Sequence, residues 1–96
     1  MLLATFTFDK NNPNWTNNHD CNMMFLRATE LHLNAVIQSR GYVYKNQIFE
    51  QLGLKWNPED ENPCLKYVGV KGSKFVEFEV IRQTKAVILV NIICRE

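Results

Sequence analysis

The sequence predicts an α+β domain in which one long and one short helix pack on an antiparallel sheet of four or five strands. Three observations predict this class. A long segment after residue 20 is apolar with helical periodicity, several short segments rich in Val, Phe and Ile suit strands, and Gly, Pro and Asn separate them. The 96 residues, of which 46% are hydrophobic, predict a single small domain over 1–96.

The amino-terminal half predicts a strand, a loop and the long helix. Residues 2–8 alternate loosely and predict a strand, while the Asn-rich segment 9–19 predicts a polar loop. Asp20 predicts the N-cap of a helix over 21–39. Gly41 follows directly, where a helix end requires a left-handed residue.

The carboxy-terminal half predicts a short helix and then strands. A brief extended step precedes a helix over 47–52, which Asn46 caps and Gly53 ends. Three strands follow, over 64–70, 74–81 and 86–94, the first two joined by a hairpin at KGS. The last strand is apolar on both faces, so we expect it to be central in the sheet or covered on both sides.

Charge and cysteine content narrow the possible binding partners and the cellular compartment. A net charge of +1 gives no field that would attract nucleic acid or an anionic membrane. Cys21, Cys64 and Cys94 show no metal-finger spacing and no disulfide framework, which favours a reducing cytoplasm. The apolar run 86–94 is much shorter than the about 20 residues of a membrane-spanning helix, so we expect no membrane partner.

Cys21 is the one candidate nucleophile, because a helix N-terminus stabilises a thiolate. A cysteine hydrolase also needs a histidine base within hydrogen-bond reach. His32 lies farther along the same helix, about 16 Å away at 1.5 Å per residue, and His19 lacks an orienting third group. We therefore expect no catalysis, no cofactor, and no metal site from His19, Asp20 and Cys21.

The long helix carries apolar side chains on both sides of one polar stripe. The stripe consists of Met23, Arg27, Glu30, Asn34 and Gln38. One flank consists of Met24, Ala28, Leu31 and Ala35, and the other of Phe25, Leu26, Leu33, Val36 and Ile37. A sheet covers one side of such a helix, so the pattern predicts a further contact on the remaining side.

That contact is interpreted as a homodimer or partner-protein interface. We expect it to be formed by Leu26, Leu33, Val36 and Ile37, with Tyr42 and Tyr44 at its border. His32, inside the same apolar arc, is expected to be a core or interface histidine. The alternative is that the Asn-rich loop and the first strand fold over this side.

A small winged-helix-like nucleic-acid-binding regulator is the alternative function. The order helix, short strand, helix and hairpin resembles that fold. Five cations near the hairpin ends could contact phosphates: Lys66, Lys71, Lys74, Arg82 and Lys85. The segment in the place of the recognition helix, KWNPEDENP, is acidic and interrupted by proline, so protein binding is favoured.

Several short motifs carry a family resemblance. They are Leu33-Asn34, Arg40-Gly41-Tyr42, Asn46, Leu52-Gly53 and Phe75-Val76-Glu77-Phe78. From residue 25 onward the chain resembles small α+β domains of unknown function found in Firmicutes and in their phages and mobile elements. The resemblance supplies no activity. It implies a mobile-element setting, and there we expect a non-enzymatic protein that binds another protein, such as a counter-defence inhibitor of the anti-CRISPR kind.

Overall fold

The computed structural model describes residues 2–54 and 75–95 and has α+β architecture. Its elements are β1 (Leu2–Asp9), α1 (His19–Arg40), α2 (Lys45–Gln51), β2 (Phe75–Gln83) and β3 (Val87–Arg95). The three strands form one antiparallel sheet in the order β1-β3-β2. The sequence predicts four or five strands; the additional strand predicted over 64–70 lies outside the described residues.

Strand β3 is the centre of this sheet, as its sequence predicts. It pairs with β1 through Phe6 opposite Val90, and with β2 through Phe78 opposite Ile92. Side chains on its second face, including Leu89 and Ile93, are half-buried. The expected cover on both faces is therefore incomplete in the described part of the chain.

One face of the sheet and the inward side of α1 form the hydrophobic core. The fully buried side chains are Phe8, Leu26, Leu33, Ile37, Val43, Ile48, Leu52, Val76, Phe78, Ile88, Val90 and Ile92. In β2, the predicted alternation places Val76 and Phe78 inward, while Phe75 and Glu79 are exposed. The core thus follows from period-two patterning in the strands and one apolar side of the helix.

Helix α1 begins earlier than its sequence predicts and ends where expected. Asn18, rather than Asp20, is the N-cap, and its side chain accepts a hydrogen bond of 3.0 Å from the backbone N–H of Cys21. Asp20 instead lies in the first turn, where its negative charge interacts favourably with the helix dipole. Gly41 has a φ of 94° and donates its N–H to Ile37, the predicted left-handed ending.

Helix α2 likewise begins at Lys45, two residues before the predicted start. Its N-cap position is Tyr44 rather than Asn46, and the Gln47 side chain accepts a hydrogen bond of 3.2 Å from the Tyr44 N–H. Gly53 follows the helix with a φ of 75°, as predicted. In the tight step between the helices, the backbone N–H groups of Gly41 and Tyr44 are therefore both satisfied.

The Asn-rich loop is tied to both neighbouring elements. Asn22 of α1 is 2% exposed, accepts a hydrogen bond of 2.9 Å from the Thr16 N–H and donates one of 3.0 Å to the Thr16 carbonyl. Asn12 is buried and donates a hydrogen bond of 2.7 Å to the carbonyl of Leu52. Trp15 packs edge-on against Phe8 at 5.2 Å. The loop thus covers part of the core.

Candidate functional site

Three of the side chains predicted to form a partner interface lie in the core instead. Leu26 and Leu33 are 1% exposed and Ile37 is completely buried. Val36 is half-buried against the same core. The flank of α1 with the bulkier side chains packs on the sheet, and this arrangement buries the larger apolar area. Only unfolding would bring the first three into contact with a partner, so the interface interpretation does not fit them.

Tyr42 and Tyr44 form a local cluster at the joint between the helices. Their rings contact each other at 5.2 Å, and the Arg40 guanidinium lies 4.8 Å from the Tyr42 ring centre. Arg40 also donates a hydrogen bond of 2.7 Å to the side chain of Gln47. Both tyrosines are half-buried. This arrangement stabilises the step between α1 and α2, while leaving part of each ring at the surface.

The polar stripe of α1 is bound to the outer edge of β2. Asn34 donates a hydrogen bond of 2.9 Å to the carbonyl of Val76 and accepts one of 2.7 Å from its N–H. Glu30 accepts a hydrogen bond of 2.6 Å from the N–H of Phe78, and Arg27 donates one of 3.3 Å to its carbonyl. These side chains substitute for a neighbouring strand at two residues of β2 and protect that edge from pairing with another chain.

This edge contact fixes the rotation of α1 and so determines which apolar flank faces outward. The outward side carries six exposed residues at alternating spacings of three and four, which we call the outer face: Cys21, Met24, Ala28, Leu31, Ala35 and Gln38. Met24 is 69% exposed and Leu31 is 71% exposed, the two highest values among the large apolar side chains that the structure describes. The outer face is therefore the candidate binding surface.

The first turn of α1 is open to solvent. His19, Asp20 and Cys21 are all exposed. His32, expected in the core or in an interface, is also exposed and lies beside the outer face. Within residues 2–54 and 75–95, no three His, Cys, Asp or Glu side chains are grouped as a metal site requires.

Two of the five cations considered for nucleic-acid binding lie in the described part of the chain. Arg82, near the end of β2, and Lys85, in the turn between β2 and β3, are both exposed. Lys66, Lys71 and Lys74 lie outside the described residues. In this same described part, neither helix combines the length and apolar character needed to cross a lipid bilayer.

An open depression of about 430 Å³ lies between the end of β1 and the segment after α2, with Asp9, Asn12 and Gly53 in its lining. Asp9 accepts a hydrogen bond of 2.9 Å from the N–H of Asn11, and Asn12 accepts one of 2.9 Å from the N–H of Asn14. The polar groups of this depression thus hold the loop in place.

Sequence comparison adds a family but no activity. The sequence model of a family of unknown function, DUF6353, matches residues 3–92. No curated protein and no solved structure matched the chain.

The outer face could have been found from the sequence by side-chain size, since one flank of the polar stripe holds two alanines and the other holds the larger residues that a core requires.

Proposed function

Because the chain belongs to a family of unknown function, DUF6353, we propose a function from its own geometry: it acts by binding another protein through the outer face of α1. The observation that carries the proposal is the exposure of Met24 and Leu31 on one continuous helix surface. Scattered apolar side chains are normal on a protein surface, but these two share one face with Ala28 and Ala35.

The energetics favour burial of this face. Transferring a leucine or methionine side chain from water to an apolar contact stabilises a complex by about 1.5–3 kcal/mol. Ala28, between Met24 and Leu31, and Ala35, after Leu31, are exposed as well and allow a partner backbone to approach closely. A helix presenting anchors at these spacings is a recurrent form of protein recognition.

In its concrete form the protein is a non-enzymatic accessory protein of a phage or mobile element that inhibits its target by occupying it, as an anti-CRISPR does. The resemblance described above and the small size of the chain support this form. Binding requires only a surface of suitable shape, and α1, fixed on the sheet by the bonds of Asn34 and Glu30, presents one rigidly.

The test compares two apolar-to-charged substitutions at exposed positions. Protein partners are captured from a lysate of the native host, purified and titrated against wild type, Leu31→Glu and Ile81→Glu. Leu31 lies on the outer face, whereas Ile81 is 50% exposed in β2 and serves as the matched control. Loss of one buried leucine contact predicts at least about a tenfold weaker Kd for Leu31→Glu, and an unchanged Kd for Ile81→Glu.

Two results would contradict the proposal. Equal affinity of wild type and Leu31→Glu for the partner would show that the outer face is not part of the interface. Weakening by Ile81→Glu alone would place the interface on the sheet. Circular dichroism of all three proteins shows that each is folded, so that a loss of affinity reports on contact rather than on stability.

A further inference from the structure

We draw no further inference here: the strongest candidate, the face of the β1-β3-β2 sheet that points away from α1, where exposed Phe75 lies beside half-buried Leu89 and Ile93, carries none because nothing in the described part of the chain shows what covers it.

Discussion

At the scale of single residues, Gly53 shows how a close approach selects one amino acid. Its φ of 75° lies in the left-handed region, and a Cβ added there would sit 2.5 Å from Asn14 Nδ2 and 2.8 Å from Asn12 Oδ1. Both amides belong to the loop that Asn12 ties to α2 through Leu52. Backbone conformation and packing therefore require glycine at the same position.

We expect Gly53→Ala to lower the free energy of unfolding by about 1–3 kcal/mol, because it adds left-handed strain and displaces the loop. Urea denaturation followed by circular dichroism measures the change. Asn14→Ala removes the nearest atom, so the double variant should lose less stability than the sum of the two single variants. Strict additivity would show that the contact with Asn14 contributes nothing and leave only the backbone term.

At the scale of elements, the contact between α1 and the edge of β2 joins a helix to a sheet through side chains. Asn34 satisfies both backbone groups of Val76, and Glu30 and Arg27 satisfy those of Phe78. Helix side chains thereby complete a strand edge that would otherwise be open to pairing. The same bonds orient α1, so edge protection and the position of the outer face have one cause.

Replacing Asn34 by leucine should destabilise this joint, since it removes the hydrogen-bond partners of the Val76 N–H and C=O. We expect a loss of about 2–6 kcal/mol, at about 1–3 kcal/mol for each of the two unsatisfied groups. Amide hydrogen exchange should accelerate at Val76 while Val90, in the centre of the sheet, changes only through global stability. Unchanged protection at Val76 would show that its amide does not depend on Asn34.

At the scale of the whole molecule, local signals predicted the elements but not their mutual rotation. Glycines and periodicity predicted β1, α1, α2, β2 and β3 to within two residues at every end, although both predicted N-caps, Asp20 and Asn46, were wrong. The sequence predicted the polar stripe but no contact for it, whereas in the structure Glu30 and Asn34 of the stripe contact β2. That contact joins residues more than 40 positions apart, and the periodicity of one helix contains no information about it.

The same limit explains why the interface was predicted on the flank that is buried in the core. Both flanks of α1 are apolar, so amphipathicity could not select the side that faces the sheet. Side-chain volume favours the same rotation of α1 that the bonds to β2 hold: Leu26, Leu33 and Ile37 fill the space above the sheet, and a flank with two alanines could not fill it without cavities. What the sequence did show is that one apolar flank would remain uncovered by the sheet.

Two leucines of α1, two positions apart, have opposite environments: one is in the core and the other is on the surface. Leu33 is 1% exposed and Leu31 is 71% exposed. We expect Leu33→Asp to unfold the protein, because it buries a carboxylate without a partner and removes a core side chain, and such changes exceed about 4 kcal/mol. Leu31→Asp should remain folded, with a change within about 0.5 kcal/mol in unfolding free energy.

Thermal unfolding distinguishes the two roles. Loss of the cooperative transition in Leu33→Asp, together with a normal cooperative transition in Leu31→Asp, is the expected pattern. A folded Leu33→Asp would contradict the burial of Leu33. An unfolded Leu31→Asp would mean that the outer face is needed for the fold of the single chain, since a side chain that solvent surrounds has no packing to lose.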